Sequence, residues 1–356
     1  MGGALDRERV ALLEHLFDQG SDAIWRSGLT FTLVTPESKA LLEVRRAVRR
    51  ALSEAAVGAK IGVAVSGGAD STALALATLL ESEERAQSVC ALIVDHRLQS
   101  GSDLVAKETK DKLRAIGFEE IEILEVDVEI RDGIESSARR ARYEALEDFA
   151  TTHSLDLILL GHTKNDQAET VLLGLARGSG TRSLSGMASR KGIFIRPLLA
   201  IDRSTTEQAC VDMGIEFWRD PHNEDPTFTR VRVRKLLPEL EREIGPGIVD
   251  SLARSADLLR DDADALDRYA KEFFATLDPS DIDVTLLAAL PRAVRTRVLR
   301  MAIQALGAPE GSLSADHITP VEALVSDWHG QGPASLPGGV KVERKSGRLS
   351  LSQHTS

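Results

Sequence analysis

Residues 65–71 have the sequence Val-Ser-Gly-Gly-Ala-Asp-Ser and lie between a short apolar run and a stretch with helical periodicity. Gly67 and Gly68 allow the backbone to turn tightly and to approach a ligand closely. The hydroxyls of Ser66 and Ser71, with the amides at the start of the following helix, can surround an anion. A purely structural turn is the alternative for two glycines alone, but the serines and the aspartate favour a phosphate-binding loop. The stretch has neither the lysine of the Walker loop nor the spacing of the dinucleotide fingerprint.

The loop follows the first of four short apolar runs that are separated by helical stretches. The runs are Ile-Gly-Val-Ala-Val at 61–65, Val-Cys-Ala-Leu-Ile-Val at 89–94, Ile-Glu-Ile-Leu-Glu-Val at 121–126 and Leu-Asp-Leu-Ile-Leu-Leu at 155–160. Helical patterns cover about 71–82, 103–117, 136–153 and 166–177. Such alternation predicts an α/β fold with a doubly wound, mainly parallel sheet. Ligands of these sheets bind beyond the carboxyl ends of the strands, so the residues after each run are the candidates for chemistry.

Length and composition exclude several classes of protein. The chain has 356 residues, with 44 Lys and Arg against 55 Asp and Glu, so the net charge is −11. This charge argues against a nonspecific RNA-binding protein, and 4% aromatic residues argue against a stacking platform for single strands. Two cysteines, Cys90 and Cys210, exclude a disulfide scaffold and favour buried, reduced thiols. With no signal peptide and no apolar stretch of membrane-spanning length, we expect a cytoplasmic protein.

Three regions are expected along the chain. Residues 1–40 form an extension without a motif, 41–245 form the catalytic domain, and 246–356 form a small helical domain that ends in a β-hairpin. From Val249 the apolar residues recur in steps of three and four, which predicts one helix of about seven turns. Packing within a small domain is favoured for this helix over a coiled-coil dimer.

Polar residues that could carry chemistry follow the predicted strands. Asp70 would repel a phosphate unless a cation such as Mg²⁺ bridged the two. Asp166 and Glu169 are three residues apart on one helical face after the fourth run. Paired carboxylates suit a substrate ammonium that must later lose a proton, although a solvated acidic face is the alternative. Arg142 could stabilise charge on an α-phosphate, and His162 could contact a nucleotide or base.

The loop resembles the PP-loop of ATP pyrophosphatases, and the motifs that follow it are more specific. They are Asp-His-Arg-Leu at 95–98, Ala-Arg-Arg-Ala-Arg-Tyr at 138–143, Gly161 to Met187, Arg-Pro-Leu-Leu at 196–199, and Trp218 to Leu240. In this order, over about residues 41–245, they resemble the tRNA(Ile)-lysidine synthetase family. The region after residue 245 is compatible with that family's tRNA-binding domain and is less distinctive.

This resemblance implies a two-step ligation. The C2 carbonyl oxygen of the wobble cytidine, in a tRNA(Ile) with a CAU anticodon, would attack the α-phosphate of ATP and release pyrophosphate. The ε-amine of free lysine would then attack C2 and expel AMP. The implied catalytic residues are Asp70, Arg142, His162, Asp166 and Glu169, with Asp166 and Glu169 binding lysine and Asp70 holding Mg²⁺. The implied ATP-binding residues are Ser66, Gly67, Gly68, Ala69, Asp70, Ser71, His96 and Gly161. A homodimer is compatible with the sequence.

Basic residues cluster in three segments despite the acidic total. The expected tRNA contacts are Arg177, Arg182, Arg196, Arg230, Arg232, Arg234 and Arg295. Single clusters of this kind are often solvated faces, but three of them near one nucleotide site favour a track for tRNA.

Three positions depart from the family pattern, and two other functions stay open. Asn165 replaces an aspartate, Gln99 an arginine and Val231 an asparagine. A tRNA-thiolating PP-loop enzyme is the nearest enzymatic alternative, but it would require an arrangement of reactive cysteines that Cys90 and Cys210 lack. A catalytically silent tRNA- or nucleotide-binding protein is the alternative outside catalysis.

Overall fold

A computed structural model describes residues 38–98, 101–130, 133–178, 180–220, 225–309 and 311–353. The predicted extension lies outside the described residues up to position 37, and so does Gln99. The chain divides into two compact units. The first contains the described residues up to Leu173 together with Met187–Ala253, and the second contains Gly174–Gly186 and the residues from Arg254 onward. Among the described residues, the structure contains no helix with the length and apolar character needed to span a bilayer.

The first unit is built around a six-stranded sheet. Its elements are α1 (Lys39–Leu52), β1 (Lys60–Ala64), α2 (Ala69–Ser82), β2 (Ser88–Asp95), α3 (Ser102–Ala115), β3 (Glu120–Glu125), α4 (Ile134–His153), β4 (Leu157–Leu160), α5 (Lys164–Ala176), β5 (Arg190–Lys191), β6 (Phe194–Ile195), α7 (Arg203–Asp212) and α8 (Thr229–Ile244). The short helix α6 (Thr181–Leu184) and the end of α5 belong to the second unit. The predicted doubly wound fold is therefore confirmed.

The sheet has the strand order β3-β2-β1-β4-β6-β5 and is parallel except for the short pair β5 and β6. In the register, Val63 of β1 lies between Ala91 of β2 and Leu159 of β4. The buried positions of these central strands are apolar except for Asp95 at the end of β2, because helices cover both faces of the sheet. The chain runs outward from β1 to β3 and then returns to place β4 on the other side of β1. The loop after β1 thus occupies the topological switch point, where such sheets bind ligands.

The second unit combines helices with a small antiparallel sheet. Its elements are α9 (Ile248–Phe274, in this unit from Arg254), β7 (Asp281–Asp283), α10 (Val284–Ala288), α11 (Arg292–Ala305), α12 (Ala315–Ser326), β8 (Ala334–Leu336), β9 (Val340–Lys345) and β10 (Arg348–Gln353). The long helix is confirmed, and Ala256, Ala263 and Ala270 on one of its faces are fully buried.

The predicted C-terminal hairpin is present but is part of a larger sheet. Ser346 and Gly347, both with positive φ, form the turn between β9 and β10. Strand β8 adds to β9, and β7 adds to β10 in the order β7-β10-β9-β8. Strand β7 is distant from β10 in the sequence, so the hydrophobic pattern within either segment does not predict this pairing.

Candidate active site

The loop after β1 turns back on itself through hydrogen bonds of its serines. The backbone N–H of Ser66 donates to Ser71 Oγ over 3.1 Å, and this hydroxyl donates to the carbonyl of Gly68 over 3.0 Å. Gly67 has φ +83°, a conformation that side chains disfavour, and its carbonyl accepts the backbone N–H of Trp218 over 2.8 Å. The loop therefore leads directly into the N-terminus of α2, where the first amides of a helix can bind an anion.

Gly161, at the end of β4, allows a close approach to this loop. A Cβ at position 161 would lie 3.0 Å from the backbone N and Cα of Ser71. Because backbone atoms cannot yield as a flexible side chain can, a side chain here would push the start of α2 aside. The glycine is thus required by packing between the ends of β1 and β4.

A cavity of about 590 Å³ opens above these strand ends, and it lies within the first unit. Eleven of the predicted site residues line it, namely Ser66, Gly68, Ala69, Asp70, Ser71, Arg142, Gly161, His162, Asp166, Arg230 and Arg234. The lining does not include three other predicted site residues, Gly67, His96 and Glu169. Phe217, Trp218, Arg219 and Asp220, which precede α8, form a further wall.

Arg203, at the start of α7, is the main site residue that sequence reasoning missed. Its Nη2 lies 2.6 Å from Asp166 Oδ1, its Nε 3.3 Å from Asp70 Oδ2 and its Nη1 3.4 Å from Glu169 Oε1. One guanidinium therefore bridges all three acidic residues that the sequence singled out. Only its position shortly after the Arg-Pro-Leu-Leu segment could have indicated it, and that signal is weak.

Glu169 is fully buried among arginines. Its side chain is 0% exposed, and Arg234 Nε lies 2.7 Å from Oε1 while Arg230 Nε lies 3.9 Å from Oε2. With Arg203 also in contact, this carboxylate has no face toward the cavity. A direct contact of Glu169 with a substrate ammonium, as the sequence predicted, does not suit this placement. The position suits a residue that holds the surrounding arginines.

Asp166 faces the cavity and is the better placed of the two carboxylates. Its Oδ2 accepts the backbone N–H of Thr163 over 2.8 Å and the Thr163 hydroxyl over 3.0 Å. Burial opposes its ionisation, but Arg203 and the Thr163 N–H outweigh burial and lower the pKa of Asp166. Asp166 is therefore an anion in this site.

Asp70 is held by two neighbours on α7. Its Oδ2 contacts Arg203, and its Oδ1 accepts a hydrogen bond from the Thr206 hydroxyl. Burial raises the pKa of Asp70, although Arg203 and Thr206 act in the opposite direction. Within the described residues no cluster of three His, Cys, Asp or Glu side chains could enclose a metal. One carboxylate does fit a Mg²⁺ that arrives on ATP phosphates and keeps several waters.

Arg142 on α4 is oriented by His96 at the end of β2. Its Nε and Nη2 lie 3.3 and 3.2 Å from His96 Nε2. Burial and the charge of Arg142 lower the pKa of His96 to about 4, so the ring is neutral at pH 7 and accepts from the guanidinium. His96 therefore orients Arg142 and is not part of the cavity lining, and its contact with ATP stays a prediction.

His162 presents an imidazole to the cavity in its neutral form. Burial lowers its pKa to about 3, and repulsion by Arg196 and Arg139 adds to this effect, while Asp166 opposes it. Its Nδ1 is buried and has no hydrogen-bond partner within the described part of the chain. With a pKa of about 3 the ring is a weak base, and it can contact a nucleotide or base without adding a charge to the cavity.

The buried neutral state of His162 should make stability depend on pH. An unfolded histidine has a pKa of about 6.5. Because the folded value of about 3 is lower, the unfolded chain binds more protons, and stability falls as pH decreases from about 6.5 toward 3. We expect wild type to lose more melting temperature than His162→Gln between pH 6.5 and 4, measured by thermal unfolding. The exposed His153, changed to Gln, is the control, and equal pH slopes for wild type and His162→Gln would contradict the assignment.

The arginines predicted to contact tRNA have several different placements. Arg177 and Arg232 are exposed. Arg182, in the second unit, forms ion pairs with Asp264 and Asp267 on α9. Arg230 and Arg234 line the cavity beside Glu169.

Two of the predicted tRNA contacts are buried, which corrects their assignment. Arg196 is 5% exposed and donates to the Tyr143 hydroxyl over 2.9 Å and to the Ala188 carbonyl over 2.8 Å. Arg295 is 9% exposed and pairs with Glu322 of the second unit. Side chains used in this way are structural, because a phosphate could reach them only after these bonds had broken.

The two family departures that the structure describes have simple environments. The Asn165 side-chain carbonyl accepts the backbone N–H of Arg203 over 2.9 Å, so this residue secures the start of α7. Val231 is buried on α8, where an apolar side chain needs no partner.

Both cysteines are buried and reduced. Cys90 lies in β2, Cys210 lies in α7, and burial raises the pKa of each thiol to about 12. Neither thiol is a thiolate at neutral pH, which is the form that reacts.

The phosphate-binding loop lies at the switch point, and a charged cavity lies beside it. Together they define a PP-loop ATP-binding enzyme. Residues 41–240 match the family model described as the PP-loop domain, and 282–350 match the TilS substrate binding domain. The tRNA(Ile)-lysidine synthase of Thermobifida fusca is 48% identical over 312 residues, which cover 87% of this chain and 96% of that protein. The chain belongs to the tRNA(Ile)-lysidine synthase family. It is therefore an ATP-dependent ligase that modifies tRNA.

Further relatives agree with this assignment. The tRNA(Ile)-lysidine synthase of Streptomyces coelicolor is 49% identical over 297 residues, which cover 82% of this chain and 84% of that protein. Among solved structures, the U34-tRNA thiolase NcsA of Methanococcus maripaludis has a TM-score of 0.51 at 20% identity. That match covers 62% of this chain and 80% of the thiolase, and it shows the shared fold alone.

Proposed function

We propose that the protein joins free lysine to C2 of the wobble cytidine of a tRNA(Ile) with a CAU anticodon, in the cytoplasm. The observation that carries this proposal is one cavity that is lined by both the anion-binding loop and Asp166. The loop suits the phosphates of ATP, and the carboxylate suits the ammonium of lysine. The tRNA substrate is inferred from the family to which the chain belongs.

In the first step the C2 oxygen of the cytidine attacks the α-phosphorus of ATP, and pyrophosphate leaves. The Ser66–Ser71 loop and the start of α2 bind phosphate oxygens. Arg142, held by the neutral His96, faces the charge that develops on the α-phosphate. Asp70 would hold the Mg²⁺ that accompanies the nucleotide and neutralises part of its charge.

In the second step the ε-amine of lysine attacks C2, the C2–O bond breaks and AMP leaves with the oxygen. Asp166 binds the amine as an ammonium, the ammonium loses its proton to water before the attack, and the neutral His162 contacts the adenylated base. Glu169 keeps Arg203 and Arg234 in position.

For the tRNA we propose phosphate contacts with the exposed Arg177 and Arg232, with Arg182, and with Arg230 and Arg234 at the cavity. Phosphate contacts position an RNA, while contacts with the unstacked anticodon bases provide specificity. Binding should therefore weaken as the salt concentration increases.

The test is an assay with ATP, labelled lysine and tRNA transcripts with a CAU or an altered anticodon. We expect lysine in the CAU transcript of tRNA(Ile) with AMP and pyrophosphate released, and none in the altered transcripts. Incorporation of sulfur instead would favour a thiolase, against which the two buried, unpaired cysteines already argue. No reaction with any transcript would favour a silent binding protein.

Asp166→Asn is expected to raise the KM for lysine by about 10–100-fold, because a charged hydrogen-bond partner of the ammonium is lost. The KM for ATP should change by less than about three-fold, since Asp70 and the loop are retained. Steady-state kinetics with each substrate varied would measure both values. Asp111→Asn, which alters an exposed ion pair with Arg114, is the matched control. An unchanged lysine KM in Asp166→Asn would remove Asp166 from the amine site.

A further inference from the structure

The acidic cluster of the cavity is already neutralised by arginines. Asp70, Asp166 and Glu169 contribute three negative charges, and Arg203, Arg230 and Arg234 contribute three positive charges within ion-pairing distance. A lysine ammonium that entered this cluster would add an uncompensated positive charge in a partly buried site. Such a charge is unfavourable where water screens it weakly.

Arg203 is the cation that occupies the proposed amine site. Its Nη2 lies 2.6 Å from Asp166 Oδ1, while the backbone N–H of Thr163 donates a hydrogen bond to Oδ2. Both oxygens of Asp166 are therefore engaged, and an ammonium can bind well only if Arg203 releases one of them. The backbone of Arg203 is fixed by Asn165, so release requires movement of the side chain alone.

The same guanidinium is adjacent to the phosphate-binding loop. Arg203 Nε lies 3.3 Å from Asp70, which is in the first turn of α2, and the Arg203 side chain lines the cavity. The phosphates of a bound nucleotide would add several negative charges at this loop. A guanidinium forms strong, charge-assisted hydrogen bonds with phosphate oxygens, so a shift of Arg203 from Asp166 toward the nucleotide is favoured once ATP is present.

We propose that Arg203 is a positioning residue that makes the amine site dependent on nucleotide. Without ATP it holds Asp166, Asp70 and Glu169 together and excludes the lysine ammonium. With ATP it pairs with phosphate and leaves Asp166 for lysine. This inference rests on the proposed function and adds an order of binding, with nucleotide before lysine.

The test measures binding of labelled lysine to the full chain by equilibrium dialysis, with and without α,β-methylene ATP and Mg²⁺. This analogue cannot be cleaved between its α- and β-phosphates, so binding is separated from chemistry. We expect the analogue to tighten lysine binding by at least about ten-fold. Lysine must then tighten binding of the analogue by the same factor, which isothermal titration calorimetry can measure.

Substitution of Arg203 should remove this coupling. Arg203→Gln should bind lysine without nucleotide more tightly than wild type, and the coupling factor should fall to about one. Arg203→Lys keeps a charge but cannot bridge three carboxylates, so it should retain part of the coupling. Arg114→Gln, at an exposed arginine outside the cavity, should behave as wild type. Thermal unfolding shows which variants are folded.

Equal lysine affinity of wild type with and without the analogue would overturn the proposal, and so would lysine binding in neither state. Coupling that persists in a folded Arg203→Gln would overturn it as well. Because the wild-type measurement requires no variant, a misfolded substitution leaves the proposal testable. Lysine incorporation into the CAU transcript without coupling would reject the role of Arg203 and retain the proposed function.

Discussion

Arg142→Met is expected to lower the rate of tRNA adenylation by about 10²–10³-fold, the usual effect of removing one preorganised donor to a developing negative charge. Arg142 lines the cavity across from the phosphate-binding loop and is held by His96 at 3.2–3.3 Å. Methionine keeps most of the side-chain volume and removes the charge. The measurement is release of labelled pyrophosphate in a single turnover without lysine.

The neighbouring Arg140 provides the matched control for this experiment. It lies on the same helix, is not part of the cavity lining and donates to the Glu129 carbonyl over 3.3 Å. Arg140→Met should retain adenylation close to the wild-type rate. If Arg142→Met released pyrophosphate as fast as Arg140→Met, Arg142 would have no part in the first step.

Arg295→Met should lower the free energy of unfolding of the second unit by about 3–5 kcal/mol, the cost of removing one partner of a buried ion pair. The buried Glu322 would then be left with the largely exposed Arg292, whose Nε lies 3.7 Å from Oε2. Arg295 Nε lies 2.9 Å from Glu322 Oε1, and Nη1 donates to the Leu290 carbonyl over 3.1 Å. Urea or thermal unfolding followed by circular dichroism would measure the loss.

Two control variants show whether the loss of stability in Arg295→Met comes from the buried ion pair. The double variant Arg295→Met with Glu322→Met should recover part of the lost stability, because no buried charge remains alone. Arg348→Met breaks an exposed pair with Asp281 and should cost far less. At a temperature where Arg295→Met is folded, its affinity for tRNA should equal that of wild type. A weaker affinity there would return Arg295 to the RNA-binding surface.

Much of the fold could be predicted because its signals are local. The strands β1 to β4 are continuous apolar runs, which form only where helices cover both faces of a sheet. The observed β1, Lys60–Ala64, differs by one residue from the predicted 61–65. The two-residue strands β5 and β6 and the addition of β7 and β8 to the hairpin were missed. Their pairing depends on partners elsewhere in the chain, so no periodicity reveals it.

The candidate site was predicted unevenly for the same reason. The loop residues and Gly161 belong to short motifs, and the switch point brings them together at the ends of β1 and β4. Arg203 has no motif of its own, and only the packing of α7 places it among three carboxylates. Arg196 and Arg295 were expected to contact tRNA because each lies in a basic segment, and the sequence alone does not show which arginines of such a segment are buried.

The sequence by itself determined the phosphate-binding loop, the parallel sheet beneath it and the family, because each depends on residue types at short, regular spacings. The tertiary structure determined which charged side chains contact one another. It buried Glu169 behind Asp166, joined Arg203 to both, and paired Arg295 with Glu322. The physical reason is that a charge is stabilised or excluded by the groups within a few ångströms in space, and such groups can be far apart in the chain, as Arg203 and Asp70 are at a separation of 133 residues.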